Sequence, residues 1–330
     1  MLPLALVLCV LHVGYGVWVL ARADNTVVDG IRLRLVQPAL DQREKWNPAN
    51  EAKIMAGYFD LSNANKGPQF NSIGAFTHVI WPESAFPFIL TERRDQLAAI
   101  ARLLPPGTTL ITGAMRMQEA RGANVDPDVF NSILALNDKG EIIAAVDKTR
   151  LLPFGEFLPF QSFLESLGLR QLTQLRGGFA SGIRRSNVSL PHTPTFLPLI
   201  CYEIIFSGAV RATREANATP AKWIVNLTND AWFGLTAGPY QHAHQAQVRA
   251  VEEGLPIARA ANNGISFVAD SYGRISERLG LGQRGVVDAM LPTAGPTTFF
   301  SRIGNTPIIL FICLTLLGLL AFKASSRTGL

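Results

Sequence analysis

The feature that most constrains the fold is a pair of long uncharged apolar segments, one at each end of the 330-residue chain. Met1–Ala21 has no charged residue, and Ile303–Phe322 is twenty uncharged residues between Arg302 and Lys323. An α-helix rises about 1.5 Å per residue, so about twenty apolar residues can cross a hydrocarbon core of about 30 Å. The sequence therefore predicts one transmembrane helix at 1–22 and a second at 303–323.

The first segment has an alternative interpretation as a cleaved signal peptide, because Ala21-Arg22-Ala23 resembles a small-x-small cleavage site. The missing basic residues before the apolar run, and the length of that run, favour a transmembrane helix. Lys323 and Arg327 follow the second segment without an acidic residue. By the positive-inside rule this predicts a cytoplasmic tail and a large middle domain on the outer side of the membrane.

Composition excludes some classes of partner. The net charge is +5, the mean hydropathy is +0.19, and there is no Lys/Arg run, zinc-ligand spacing or glycine-rich phosphate loop. Nucleic acid is therefore not a predicted partner, whereas a basic balance beside apolar ends is typical of a surface that meets anionic lipid. Of the three cysteines, Cys9 and Cys313 lie in the apolar ends, so no disulfide framework is predicted.

Between the apolar ends, short β-rich runs alternate with segments of helical periodicity. The predicted strands are Ile31–Gln37, Thr77–Trp81, Thr109–Met115, Ser132–Leu136, Ile142–Val146, Phe196–Cys201, Trp223–Leu227, Ile265–Ala269 and Val286–Met290. The predicted helices include Asn50–Asn65, Glu92–Leu104, Ser207–Ala216 and Pro239–Glu253. This alternation predicts a layered α/β or α+β domain, which we delimit as residues 28–294.

Three polar residues follow predicted strands and could carry chemistry: Glu83, Lys148 and Cys201. Taken singly, each has an ordinary interpretation: a helix cap or solvated turn, a surface charge, and a small buried hydrophobe. Together they supply a base, a cation and a nucleophile, and we expect them at three consecutive strand ends. A thiol with a pKa of about 8.5 needs such a base or cation to react as a thiolate at neutral pH. The combination predicts acyl transfer through a cysteine.

The order Glu, Lys, Cys on strand ends resembles the nitrilase, or carbon–nitrogen hydrolase, superfamily. The short sequence motifs around these residues resemble, more narrowly, those of the apolipoprotein N-acyltransferase family of bacteria. These motifs are Gln37…Glu44-Lys45-Trp46, Trp81-Pro82-Glu83, Pro153-Phe154-Gly155-Glu156, Ile200-Cys201-Tyr202-Glu203, Asn229-Asp230-Ala231-Trp232-Phe233-Gly234 and Asn262-Asn263-Gly264.

The resemblance implies an αββα sandwich on the periplasmic side of the bacterial inner membrane. It implies that Cys201 takes the sn-1 acyl chain of a phospholipid, such as phosphatidylethanolamine, as a thioester. The chain would then pass to the α-amino group of the diacylglyceryl-cysteine of an apolipoprotein. No metal or organic cofactor is expected.

The resemblance also assigns roles to individual residues. Glu83 corresponds to the general base, Lys148 to the lysine that stabilises charge, Cys201 to the nucleophile and Glu156 to a second glutamate that orients the lysine. Three further residues fall on positions needed for activity through loop or substrate placement: Trp46, Tyr202 and Glu203. Trp232 and Phe233 are expected to form a packing wall or an acyl-chain contact beside the site.

Members of this family usually have several spanning helices before the catalytic domain, and here one precedes it, so an N-terminally short form is expected. Two other functions stay open. One is a truncated paralogue that binds lipoproteins without turnover, and the other is a membrane-tethered amidase.

Two local features remain. Gln161–Arg176 is leucine-rich and amphipathic, which is typical either of a lid at the membrane surface or of a helix packed on the core. His242 and His244 are two residues apart on a predicted helix and so face different directions, and we predict a structural role for His242.

Overall fold

The computed structural model describes residues 2–118, 127–169, 171, 173, 178–208 and 219–328. The strands are β1 (Val27–Gln37), β2 (His78–Ile80), β3 (Thr109–Gln118), β4 (Asp128–Leu136), β5 (Ile142–Asp147), β6 (Val188–Leu190), β7 (Thr193–Ile200), β8 (Trp223–Thr228), β9 (Ile257–Ala261), β10 (Ser266–Ala269), β11 (Ile275–Leu279) and β12 (Gly285–Pro292). The α-helices are α1 (Leu2–Ala21), α2 (Gln42–Lys45), α3 (Glu51–Ser62), α4 (Arg94–Leu103), α5 (Gln161–Ser166), α6 (Gly238–Glu253), α7 (Phe299–Ile303) and α8 (Thr306–Thr328).

The strands form two six-stranded mixed sheets. The first has the order β12-β1-β2-β3-β4-β5, and the second has the order β11-β10-β9-β8-β7-β6. Parallel pairs lie at the centre of each sheet, β2 with β1 and β3 in one and β8 with β7 and β9 in the other. The carboxyl ends of these central strands therefore lie together at one edge of the sandwich, where loops can carry functional residues.

Two faces of the sheets pack against each other because their strands alternate in side-chain direction. On β1, Leu33 and Leu35 point into the intersheet core, where they are fully buried together with Phe196, Trp223 and Val225 of the second sheet. On the same strand, Arg34 and Val36 point the other way.

Helices cover the two outer faces. Ile54 and Tyr58 of α3 pack on the first sheet, and Ala246 and Ala250 of α6 pack on the second. The layers are therefore helix, sheet, sheet and helix, which confirms the predicted nitrilase-like α/β sandwich. Arg34 joins two layers, because its guanidinium binds Asp288 of β12 at 2.8 Å and also donates to backbone carbonyls at the end of α3.

Each of the nine predicted strands is present, with ends shifted by a few residues. Three strands were not predicted: β6, β9 and β11. Strand β9 has the sequence Ile-Ala-Arg-Ala-Ala, whose alanines and central Arg259 are weak strand formers, yet all five residues are buried between β8 and β10. Tertiary pairing overrides local propensity here.

The apolar ends are helical and project from the sandwich. Pro3–Ala21 is, among the described residues, the helix long and apolar enough to cross a membrane, and none of it is buried. Thr306–Ala321 is apolar but shorter. The predicted second span begins later than expected because Gly304, with φ of 57°, ends α7 and separates it from α8.

The leucine-rich segment is only partly described. Phe163, Leu167 and Leu169 are between 52 and 63% exposed, so this portion does not pack on the core. Arg170, Leu172 and residues 174–176 of the same segment lie outside the described residues, as does most of the helix predicted at Ser207–Ala216.

Candidate active site

Glu83, Lys148 and Cys201 each follow a strand, but the three strands are not consecutive. β2 and β5 belong to the first sheet and are separated there by β3 and β4, whereas β7 belongs to the second sheet. The expectation of consecutive strand ends is therefore wrong. The three residues meet because the two sheets face each other and because the chain after β2 crosses over β3.

Gly113 of β3 permits that crossing. Its carbonyl accepts a hydrogen bond from the Ala85 N–H at 2.8 Å, and its own N–H donates to the Pro82 carbonyl at 3.2 Å. A Cβ atom at position 113 would lie 2.5 Å from the Glu83 Cα, which is too close for any side chain. A glycine is needed here so that the backbone carrying Glu83 can lie against the sheet.

The Lys148 ammonium lies between two carboxylates. Its Nζ atom is 2.8 Å from Glu156 Oε2 and 3.8 Å from Glu83 Oε1, and the side chain is 1% exposed. A buried ion pair of this kind needs further hydrogen bonds to offset the cost of desolvation. The geometry agrees with a lysine that is oriented by Glu156 and shared with Glu83.

Asn131 of β4 connects the same two carboxylates and was missed by the sequence analysis. Its Nδ2 atom donates to Glu83 Oε1 at 2.7 Å and to Glu156 Oε1 at 3.0 Å. The Lys148 N–H also donates to the Asn131 carbonyl at 2.8 Å. The available signal was the polar pair Asn131-Ser132 between the apolar residues Phe130 and Ile133 of β4, which is a weak one.

Cys201 begins a 3-10 helix, Cys201–Ile205, directly after β7. Its φ is 49°, a left-handed conformation that costs about 1–3 kcal/mol for a residue other than glycine. The side chain is buried, and its surroundings include Glu83 and Lys148. This backbone conformation ends the strand, and the Cys201 side chain lies among the buried residues between the two sheets.

Glu203 fixes the turn that carries Cys201 to the loop that carries Lys148. One carboxylate oxygen accepts a hydrogen bond from the Ile200 N–H at 3.0 Å. The other accepts from the Thr149 N–H at 3.0 Å and from Arg185 at 2.5 Å. Glu203 therefore connects the turn after β7 in the second sheet with the loop after β5 in the first sheet. Its side chain is 2% exposed.

Burial and neighbouring charges set the ionisation of the site. Burial, and then the Glu83 carboxylate, raise the pKa of the Cys201 thiol to about 12, with Lys148 opposing them. Burial, with Glu156, also raises the pKa of Glu83, against the effects of Lys148, Asn131 and Lys45. Burial alone would lower the pKa of Lys148, but Glu83, Cys201 and Glu156 together raise it. The thiol is thus protonated at rest, and it would need a base to react as a nucleophile.

The remaining predicted residues are aromatic side chains, and two of them are largely exposed. Trp46 is 42% exposed and Trp232 is 44% exposed. Phe233 contacts the His242 ring edge-on, with ring centroids 6.0 Å apart, and Tyr202 contacts Phe206 in the same manner at 5.5 Å.

His242 binds the backbone of the turn that carries Cys201. Its Nε2 atom lies 3.2 Å from the Cys201 carbonyl oxygen, and its Nδ1 atom lies 2.9 Å from Asp230 Oδ1. Arg259 binds the other Asp230 oxygen at 2.8 Å. Gly264 approaches the same carboxylate so closely that a Cβ atom would lie 2.4 Å from it. The Asn-Asn-Gly turn therefore needs its glycine for packing.

The fold and the site define a class of protein. Residues 79–296 match the carbon–nitrogen hydrolase family. The chain belongs to the carbon–nitrogen hydrolase family. It is similar to an amidase from Nesterenkonia sp., with a TM-score of 0.53 and 17% identity over 82% of this chain and 94% of the amidase, a likeness in fold.

Within this family the chain is similar to apolipoprotein N-acyltransferases. It is 46% identical to the one from Bradyrhizobium diazoefficiens over 92% of this chain and 56% of that protein. It is 44% identical to the one from Agrobacterium fabrum over 88% of this chain and 53% of that protein, and 41% identical to the one from Rhizobium meliloti over 99% and 60%. The chain thus spans a little over half the length of these curated relatives.

Proposed function

We propose that this chain is an apolipoprotein N-acyltransferase, which moves the sn-1 acyl chain of a phospholipid to the N-terminal diacylglyceryl-cysteine of an apolipoprotein. The observation that carries the proposal is the buried cluster of Glu83, Lys148 and Glu156 beside the Cys201 turn. The similarity to relatives of that name supports the same function. Residues 28–294 would be the catalytic domain.

The first half of the reaction forms a thioester. Cys201 Sγ attacks the ester carbonyl carbon of the phospholipid while Glu83 takes the thiol proton. Lys148 stabilises the developing oxyanion by its positive charge. Its ammonium is held in place before the reaction by Glu156, at 2.8 Å. Collapse breaks the ester bond, and the lysophospholipid leaves as an alcohol with the proton from Glu83.

The second half transfers the acyl chain. The α-amino group of the acceptor attacks the thioester carbonyl carbon, and Glu83 removes the excess proton from the amine. The C–S bond breaks, the Cys201 thiol regains its proton, and an amide is released. The same two groups, Glu83 and Lys148, therefore serve both halves.

The surface around the site is suited to lipid. Several aromatic and aliphatic side chains are strongly exposed in the loops near it: Phe154 58%, Phe160 84%, Ile183 102% and Leu235 88%. Exposed apolar groups are costly in water and are stabilised at a bilayer surface. An enzyme for small soluble amides gains nothing from such a rim.

The apolar helices at the two ends of the chain also support an enzyme that works at a bilayer surface. α1 and α8 would cross the inner membrane, and Lys323 and Arg327 would keep the tail in the cytoplasm. The catalytic domain would then lie on the periplasmic side, with its apolar rim against the outer leaflet. Phosphatidylethanolamine is the donor we expect.

Intact mass spectrometry of the detergent-purified chain tests the function. After incubation with phosphatidylethanolamine, the parent is expected to gain one hydroxylamine-sensitive acyl group, which a diacylglyceryl-cysteine peptide then removes as the triacylated product. Cys201→Ala is expected to gain none, whereas the matched control Cys9→Ala/Cys313→Ala keeps the adduct. Free fatty acid released without an acceptor would instead indicate a hydrolase, and no adduct on a folded parent would overturn the proposal.

A further inference from the structure

His242 binds the turn that carries Cys201 but has no part in the reaction described above. Its side chain is buried, and its Nε2 atom lies 3.2 Å from the Cys201 carbonyl oxygen. A carbonyl oxygen can only accept a hydrogen bond, so Nε2 must carry a hydrogen and donate it.

The partners of the other ring nitrogen allow this bond in both protonation states of His242. In the neutral ring, Nδ1 accepts a hydrogen bond from Arg259 Nη2, at 3.2 Å. In the charged ring, Nδ1 donates to Asp230 Oδ1, at 2.9 Å. The donor to the Cys201 carbonyl is therefore present whether or not the ring is charged.

The backbone of Cys201 is held on both sides of its Cα atom. On the amino side, the Ile200 N–H donates to Glu203 Oε2 at 3.0 Å, and Ile200 pairs with Leu227 of β8. On the carboxyl side, His242 binds the Cys201 carbonyl. Between these two points the residue has a φ of 49°, a conformation that residues other than glycine keep only when their surroundings fix it.

The bond from His242 sets the direction of the peptide group between Cys201 and Tyr202. This group is planar and trans, so the Tyr202 N–H points opposite to the Cys201 carbonyl and away from His242. Tyr202 lies in the first turn of the 3-10 helix, where N–H groups have no acceptor within the helix. An N–H in this position can donate to the oxyanion that forms when a thiol attacks an acyl carbon.

We propose that His242 is a positioning residue for acyl transfer, which holds the Cys201 carbonyl so that the Tyr202 N–H donates to the oxyanion in addition to Lys148. The inference rests on the proposed function, in which Cys201 is acylated. Rotation about the Cα–C bond of Cys201 turns the carbonyl and the chain after it, whereas the Sγ atom stays with the strand side. Loss of the His242 bond should therefore move the N–H donor and leave the thiol in place.

Buried partners keep the His242 ring in position for this task. Arg259 Nη2 donates to Asp230 Oδ2 at 2.8 Å, and the Thr228 hydroxyl donates to Asp230 Oδ1 at 3.0 Å. All three side chains are fully buried. The ring is thus fixed by groups of the second sheet that do not touch the Cys201 side of the turn themselves.

Two reactions of Cys201 separate the oxyanion from the thiol, in a Cys9→Ala/Cys313→Ala background. With p-nitrophenyl butyrate, the S–C bond forms through an oxyanion, the C–O bond to nitrophenolate breaks, and the thiol proton passes to Glu83. Iodoacetamide alkylates the same thiol by displacing iodide, and no oxyanion forms. Intact mass spectrometry follows the rate of each reaction.

His242→Asn and His242→Gln are a matched pair of variants. The glutamine amide places an N–H close to the position of Nε2, whereas the shorter asparagine places it near that of Nδ1. His242→Asn is expected to slow acylation by about 100-fold, the usual effect of removing one oxyanion donor, and to keep the parent rate of alkylation. His242→Gln is expected to recover most of the lost acylation rate. The exposed His244→Asn on the same helix is the control and should change neither rate.

Equal losses of acylation in His242→Asn and His242→Gln would overturn the inference, as would a loss of alkylation as large as that of acylation. Either result would mean that His242 serves only the packing of the turn. Because the ester needs neither phospholipid nor apolipoprotein, a parent that the ester acylates but phosphatidylethanolamine does not would count against the proposed function alone. A parent that the ester does not acylate would overturn both.

A measurement on the parent keeps the test decisive if neither variant folds. Nitrogen NMR of protein with isotopically labelled histidine should show a hydrogen on His242 Nε2, and replacing the other four histidines in turn assigns the signal. A ring that carries its hydrogen on Nδ1 alone could not donate to the Cys201 carbonyl, and this result would overturn the inference.

Discussion

Glu203 and Thr149 connect the two sheets at the site, because Glu203 Oε1 accepts hydrogen bonds from both the N–H and the hydroxyl of Thr149, each at 3.0 Å. Thr149 directly follows Lys148, and Glu203 lies two residues after Cys201. One buried carboxylate therefore sets the separation between the candidate nucleophile and the candidate lysine, although it is not positioned to touch the reacting atoms.

Glu203→Gln is expected to slow Cys201 acylation by at least about 100-fold, since small misplacements of reacting groups have costs of that order. Breaking the buried pair with Arg185 should also lower the free energy of unfolding by about 3 kcal/mol. Single-turnover acylation and urea unfolding measure the two effects. The exposed Glu141→Gln is the control, and parent-like acylation by Glu203→Gln would contradict the positioning role.

A second prediction concerns Gly113. Gly113→Ala places a methyl group 2.5 Å from the Glu83 Cα, so the backbone that carries Glu83 must move. We expect a loss of about 1–3 kcal/mol in the free energy of unfolding and a loss of acylation. Gly57→Ala in α3 is the matched control, because its Cβ would meet only the end of the Arg284 side chain, at 3.5 Å. That control should be as stable as the parent or more so.

The pH dependence of stability follows from Asp230. Burial alone would raise the pKa of this carboxyl, but Arg259 and then His242 and Thr228 lower it below the ordinary value. A depressed folded-state pKa gives stability that is fully present above the ordinary aspartate pKa of about 3.9 and is lost as pH falls through the folded value.

Urea unfolding of the parent and of Asp230→Asn checks this dependence. The parent should be more stable by about 3 kcal/mol near neutral pH, since the variant leaves Arg259 buried without its charged partner. The difference should shrink as the pH is lowered below about 4. Asp29→Asn, at an exposed position, should show no such convergence, and a pH-independent difference for Asp230→Asn would refute the argument.

Strong local patterns in the sequence indicated Glu83, Lys148 and Cys201, because each stands at the end of an apolar run, and runs of β-rich residues indicated nine of the strands. The arrangement of the strands in two packed sheets was expected from the family resemblance alone. Asn131 was not predicted as a site residue, because a buried asparagine has the same local pattern as an exposed one. Strand β9 was missed for a related reason: its Arg259 looks like a surface residue until Asp230 and Asn226, from another strand and turn, are seen to bind it.

The last prediction separates lipid binding from chemistry. Trp232 is 44% exposed and Phe233 is 38% exposed, on the 3-10 helix Asp230–Phe233 beside the Cys201 turn. Trp232→Ala is expected to raise the apparent KM for phosphatidylethanolamine by about tenfold, because a buried aromatic contact with lipid contributes about 1–2 kcal/mol. Its maximal acylation rate, and its rate of alkylation by iodoacetamide, should stay close to those of the parent, since neither Glu83 nor Lys148 is touched. Phe299→Ala, an exposed aromatic residue in α7, is the matched control and should leave the KM unchanged. Equal losses in lipid acylation and in alkylation would instead mean that Trp232 supports the turn itself and takes no part in binding the acyl chain.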